Sequence, residues 1–131
     1  MITITRRPSI YTTIEKQDGY AKILVALYDV SECNIVLITS NSRRNAYPVE
    51  MVIEAKKKGA KVICIINLKH SSATSSRHSS GQKLYEVSDV VIDNCSEVGD
   101  AVAPVEGTDA IIYPTSSIAN TFICASINGE V

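Results

Sequence analysis

Ile35-Val-Leu-Ile-Thr39, then Ser40-Asn-Ser-Arg-Arg-Asn45, then a stretch from Tyr47 to Gly59, then Val62-Ile-Cys-Ile-Ile66: this order decides the fold. Both apolar segments are continuous runs with no alternation, so each strand is expected to be buried on both faces, as in a parallel sheet. They start 27 residues apart, and a third run, Val90-Val-Ile-Asp93, starts 28 residues after the second. Intervals of that size hold one helix each, which is the arithmetic of a βαβ unit. The first interval predicts a helix from Tyr47 to Lys58. Pro48 suits its first turn, and Glu50 and Glu54 lie toward the positive end of the helix dipole. Lys56, Lys57 and Lys58 lie toward the negative end, and Gly59 closes the helix. Glu54 and Lys58 have the i,i+4 spacing of an ion pair.

Upstream, Thr12-x-x-Glu15 has the form of a capping box for a helix running to about Tyr28, with an apolar stripe of Tyr20, Ile23, Leu24 and Leu27. Downstream, His70 to Gly81 is a serine-rich loop, followed by a short helix over Gln82 to Val87. Residues 94–114 read as a long acidic loop punctuated by Gly99, Pro104, Gly107 and Pro114. Thr115 or Ser116 then caps a final helix whose apolar face is Ile118, Ala119, Phe122, Ile123 and Ile127, ending at Gly129.

At 131 residues the chain is one domain, with 45% apolar and 21% charged residues. That excludes a disordered, collagenous or disulfide-scaffold protein. The apolar runs are far too short to span a bilayer, and no leader pattern opens the chain, so the default is a cytoplasmic protein with no membrane partner. The net charge of −1 is unevenly spread: residues 43–83 carry nine Lys/Arg and two Glu, whereas residues 84–131 carry eight Asp/Glu and no Lys/Arg. Lys56 to Lys58 read as a solvated helix end. With no Trp and one Phe, the chain lacks the stacking platforms of a nucleic-acid surface. The four cysteines form no C-x-x-C pair. Cys64 and Cys124 read as small core residues, reduced thiols suit the cytoplasm, and no Cys/His set has metal-ligand spacing.

Ligands of parallel α/β sheets collect beyond the carboxyl ends of the strands. Three segments reach that edge here: Thr39 to Asn45, Asn67 to Gly81, and Asp93 to Cys95. Their hydroxyls, backbone N–H groups and guanidiniums suit a phosphate monoester. Competing chemistries fare worse. The chain has no G-x-G-x-x-G, no Walker sequence, no acidic cluster for a receiver domain and no G-x-S-x-G elbow.

Ser40-Asn-Ser-Arg-Arg-Asn45 with Pro48-Val-Glu50 and Glu54-Ala-Lys-Lys-Lys-Gly-Ala-Lys-Val62 resembles the sugar isomerase (SIS) domain. Ser76-Arg-His-Ser-Ser-Gly81, Lys83-Leu-Tyr-Glu86, Asp89-Val-Val-Ile-Asp-Asn-Cys95, Gly99-Asp100 and Pro114-Thr-Ser-Ser117 look like one bacterial branch of it, made of phosphosugar isomerases or phosphosugar-binding proteins. The resemblance covers about residues 18–127. It implies a flavodoxin-like three-layer αβα sandwich, assembly as a homodimer or larger oligomer, a sugar phosphate as ligand and no cofactor. Mapped onto this chain, Ser40, Asn41 and Ser42 would grip the phosphate, with Thr115 and Ser116 closing the site. Arg43 stands where the family has Gly, as a surrogate clamp or an obstruction. Arg77 and Ser79 are further binding candidates from the serine loop. His78 and Glu50 are candidates for the proton transfers of an aldose–ketose isomerisation. The family also has about two further βα units ahead of the part matched here, so residues 1–17 read as an atypical segment and 18–131 as a partial SIS domain with three recognisable family strands. Two functions follow: a phosphosugar-binding protein or, alternatively, an active phosphosugar isomerase. Without a neighbouring strand, Ile35–Thr39 becomes a sheet edge, to be covered by Met1–Ile10 or a second subunit.

Overall fold

The three apolar runs pair side by side in a computed structural model that describes residues 19–40, 46–72 and 75–129. β1 (Ile35–Thr39), β2 (Lys61–Ile66) and β3 (Val90–Asp93) form a parallel sheet in the order β1-β2-β3. The register sets Ile35 beside Lys61 and Thr39 beside Ile65, then Ile63 beside Val90 and Ile66 beside Asp93. The fold is mixed α/β, as the run spacing requires.

Helix α1 (Tyr20–Leu27) precedes β1, and α2 (Ala46–Lys57) crosses from β1 to β2. Val49, Val52 and Ala55 of α2 pack on Val62, Cys64 and Ile66 of β2, all buried, and Leu84 joins them from α4 (Leu84–Val87). Each Val, Leu or Ile side chain among them contributes on the order of 1.5–3 kcal/mol when fully buried. Ile65, which alternates to the opposite sheet face, is also fully buried. The end of α2 is a Schellman turn: Gly59 N–H bonds to Lys56 O (3.0 Å) and Ala60 N–H to Ala55 O (3.2 Å), with Gly59 at φ 86°. α2 therefore stops where its glycine predicts.

Several local expectations change. Glu54 pairs with Lys57 at 2.6 Å, one residue nearer than Lys58. The start of the serine loop is helical, as α3 (Leu68–Ser72), because Asn67 Oδ1 accepts the His70 N–H at 2.9 Å and caps it. The acidic stretch after β3 is a hairpin, β4 (Ala101–Pro104) antiparallel to β5 (Ile111–Pro114), with Val105 N–H bonded to Ala110 O at 2.9 Å. Its four-residue strands are too short to stand out from loop composition. α5 (Thr115–Gly129) begins at the expected residue, but Ile118 and Phe122 of its apolar face are each 72% exposed. Cys64 is buried as expected, whereas Cys124 is half-buried. Thr12, Glu15 and Met1–Ile10 lie outside the described residues.

Candidate functional site

Two buried amides organise the carboxyl edge of the sheet. Asn67 follows β2 directly, caps α3, and donates through Nδ2 to Ser96 O and to Ser96 Oγ at 3.1 Å. Asn94 follows β3 and accepts, on Oδ1, the Ser96 N–H (3.1 Å) and the Ser96 hydroxyl (2.8 Å). Its Nδ2 donates to Asn120 Oδ1 of α5 at 2.9 Å. Hydrogen bonds thus join the ends of β2 and β3 to the second turn of α5.

The start of α5 is fixed by Asp100. Its carbonyl accepts the Thr115 N–H (2.9 Å) and hydroxyl (3.1 Å), and its Oδ1 accepts the Ser116 N–H at 2.8 Å. A carboxylate at this N-terminus matches the positive end of the helix dipole. Thr115 Oγ1 also accepts the Glu97 N–H at 3.2 Å. The Ser116 hydroxyl is fully buried and has no partner among the described residues.

So anchored, α5 walls a cleft of about 720 Å³. One side is β1 from Val36 to Ser40, with Tyr47, Pro48 and Met51 of α2 beside it; Ser117, Asn120 and Thr121 of α5 complete the lining. Ser40 is buried at the end of β1, its N–H bonded to Ile65 O at 3.2 Å. At this end Thr39, Ser40, Ser117, Asn120 and Thr121 present hydroxyls and an amide; toward Val36 the strand is apolar.

The residues expected to act together fall into separate places. Ser40 lines the cleft, while Thr115 and Ser116 lie just before the α5 residues that line it. Asn41, Ser42 and Arg43 lie outside the described residues. Glu50 is on α2, where Oε1 accepts the Gly19 N–H (2.6 Å) and Oε2 the Ala21 N–H (3.1 Å). It caps α1 across 31 positions of sequence, and Gly19, at φ 96°, supplies no side chain for that task. His78 is in the serine loop. The Ser80 N–H donates to its Nδ1 at 3.2 Å, and Ser80 Oγ is 2.6 Å from the same atom, so the neutral ring carries its proton on Nε2. Arg77, His78 and Ser79 do not contribute to the lining of the cleft. The sequence reading missed Ser117, Asn120 and Thr121. Their i, i+3, i+4 spacing was the available signal, a polar stripe on a helix judged by its apolar residues.

Elsewhere, Asp89 bonds reciprocally to Val62: its Oδ2 accepts the Val62 N–H (2.8 Å) and its own N–H donates to Val62 O (3.0 Å). That backbone bond, then Lys56 at 3.2 Å and Lys61 at 4.0 Å, hold its carboxyl below the usual aspartate range. Burial pushes the Cys64 thiol up, against a smaller opposing effect of Ser88. No three His, Cys, Asp or Glu residues gather as a metal site among the described residues, and none of the described helices is long and apolar enough to cross a membrane.

Comparison with known proteins adds two findings. The family model described as an SIS domain matches residues 1–67. The chain is 39% identical over 126 residues to a UPF0309 protein of Halalkalibacterium halodurans, covering 96% of this chain and 52% of that one. It is 40% identical over 119 residues to a UPF0309 protein of Shouchella clausii (91% and 48% covered), and 37% over 119 residues to one of Listeria monocytogenes (91% and 48%). The chain spans about half the length of the curated relatives it matches.

Proposed function

The chain belongs to the SIS-domain family, and on that premise we propose that it binds a sugar phosphate at the carboxyl edge of its sheet. The observation that carries this reading is the polar end of the cleft, where Thr39 and Ser40 of one strand end meet Ser117, Asn120 and Thr121 of α5. Thr121 gives its hydroxyl proton to Ser117 O (2.7 Å) and Asn120 Oδ1 accepts from Asn94, so the Thr121 oxygen serves as an acceptor beside the Thr39 and Ser117 hydroxyls, which both donate and accept, and that mixture suits the alternating groups of a sugar. Ser40 opens the Ser40-Asn-Ser-Arg-Arg44 sequence, in which the Ser42 hydroxyl is a donor for the phosphate and Arg43 is either a guanidinium clamp for it or an obstruction. Thr115 and Ser116 contribute through Asp100, by setting where α5 starts and so where Ser117 points.

Binding is favoured over isomerisation because Glu50 spends both oxygens on α1 and His78 is held in the serine loop. The reading carries with it a homodimer or larger homo-oligomer, supported by the exposed Ile118 and Phe122, and a cytoplasmic setting, supported by four cysteines outside any disulfide.

Calorimetry with hexose phosphates and their parent sugars tests it. Each charge-assisted bond to phosphate is worth about 1.5–3 kcal/mol, so the free sugars bind at least tenfold more weakly. Equal affinity for the two forms would sink the reading. Arg43→Gly separates clamp from obstruction: affinity falls, with weaker salt dependence, if the guanidinium binds the phosphate.

A further inference from the structure

We infer that Asn67, Ser96 and Asn94 are positioning residues for the cleft: a one-way hydrogen-bond relay through them turns the NH2 of Asn120 toward the bound ligand. The site then takes an accepting oxygen of the ligand at Asn120 and a donating hydroxyl of it at Thr121. This inference deepens the sugar-phosphate reading above and rests on it for the ligand. Asn67 and Asn94 are both buried and neither lines the cleft, so their amides act at one remove.

An amide side chain can be set either way round, and here two backbone N–H groups, which can only donate, decide the matter. The His70 N–H lies 2.9 Å from Asn67 Oδ1, which marks that atom as the carbonyl oxygen. The Asn67 NH2 then faces Ser96, where it donates to the backbone oxygen and, at 3.1 Å, to the hydroxyl oxygen. The Ser96 hydroxyl, accepting from Asn67, sends its own proton to Asn94 Oδ1 at 2.8 Å. The Ser96 N–H reaches the same atom at 3.1 Å and fixes it independently as an oxygen. Asn94 Nδ2 is thereby the donor of the 2.9 Å bond to α5, and the atom that faces it on Asn120 must accept.

The Asn120 carbonyl is thus directed to Asn94, and the NH2 is what its amide brings to the cleft that Asn120 lines. Turning that amide round would set NH2 against NH2 and leave the buried Asn94 donor without its acceptor, which is costly away from water. One residue on, the Thr121 hydroxyl gives its proton to Ser117 O at 2.7 Å, so its oxygen accepts from the cleft side. A donor beside an acceptor is the pattern that a polyol answers, accepting at one oxygen and donating from another. No member of the relay titrates, so this polarity holds across the pH range.

The test reverses the relay without removing it. Asn94→Asp keeps both bonds from Ser96 but replaces the NH2 with an oxygen, so the Asn120 amide should turn round and donate to the new carboxylate. Asn94→Ala only cuts the relay. In nuclear magnetic resonance of the chain without ligand at neutral pH, Asn94→Asp should shift the Asn120 NH2 signals and slow their exchange with water about tenfold, whereas Asn94→Ala should not slow it. Asn120 signals in Asn94→Asp that match those of the natural chain would overturn the proposal, whatever the ligand. Calorimetry with a hexose phosphate then ranks the variants. Asn94→Asp should bind about tenfold more weakly than the natural chain and more weakly than Asn94→Ala, although in urea it should be the more stable of the two variants. A residue that merely held structure would give affinity and stability the same order, and that result would overturn the proposal. Cys95→Asp controls for charge: it brings a carboxylate to an exposed position of the same loop, at a φ of 51° that aspartate tolerates, and should leave affinity within about twofold. An equal loss in Cys95→Asp would assign the effect to repulsion of the phosphate and overturn the proposal. A natural chain that binds no hexose phosphate would remove the sugar-phosphate reading alone and leave the spectroscopic arm to decide the relay.

Discussion

Gly59 is a residue whose replacement has a foreseeable cost. It sits at φ 86°, and a Cβ there would lie 2.9 Å from the Glu32 Cβ. Gly59→Ala therefore meets both a left-handed backbone and a close neighbour on the loop leading into β1, and should destabilise the chain by about 1–2 kcal/mol in urea unfolding. A change below 0.3 kcal/mol would show that the turn relaxes freely, by roughly the error of such measurements. Ser116 makes the opposite case. Its hydroxyl is buried and unpartnered among the described residues, while its N–H is held by Asp100. Ser116→Ala removes a desolvated hydroxyl and keeps the backbone bond, so stability should rise by about 1 kcal/mol. Because Ser116 acts through the placement of α5, sugar-phosphate affinity should stay as it was. Lost affinity on calorimetry would mean that the hydroxyl meets the ligand directly.

Asp89 works at the scale of elements, tying the start of β3 to the start of β2 through both backbone groups of Val62. Its carboxyl is held below the ordinary aspartate range, chiefly by the Val62 N–H and then by Lys56 and Lys61. A depressed folded-state pKa gives stability that is complete above the unfolded value, about 3.9, and is lost as pH falls through the folded one. Acid unfolding should thus steepen below about pH 4 in the natural chain and flatten in Asp89→Asn, followed by circular dichroism. Identical profiles would remove Asp89 from the link. The same staple shows what the sequence discloses and what it hides. The strands β1, β2 and β3 were legible as unbroken apolar runs, although only β2 is buried on both faces and β1 and β3 are half-exposed, and α2 was legible because Pro48, the lysines and Gly59 mark its ends locally. Contacts distant in sequence were not legible: Glu50 capping α1, Asp100 capping α5, Asn94 reaching Asn120. Nothing within a few positions of those residues announces the partner. The β4–β5 hairpin was hidden for another reason, since four-residue strands carry too little pattern to outweigh the acidic, glycine-bearing composition around them.

On the scale of the whole molecule, the unanswered demand is for cover. α5 has no charged residue between Thr115 and Gly129, and it turns its polar stripe of Ser117, Asn120 and Thr121 to the cleft while Ile118 and Phe122 stand in solvent. Ile111 and Tyr113 of the preceding strand are exposed as well, at 58% and 64%. Large apolar side chains standing in solvent on α5 and on the strand before it make a candidate interaction surface. An uncharged helix face meets no like-charge repulsion when it packs on its own copy, despite the acidic composition of residues 84–131. The chain alone should therefore run as a dimer or larger oligomer in light scattering, and added salt should not dissociate it, because screening weakens charge pairs and leaves apolar contact intact. Phe122→Glu should release the monomer. The side chain is exposed, so its replacement should move folding stability by no more than about 0.5 kcal/mol. A natural chain that is already monomeric at high concentration would show that the exposed α5 face is not a self-association surface.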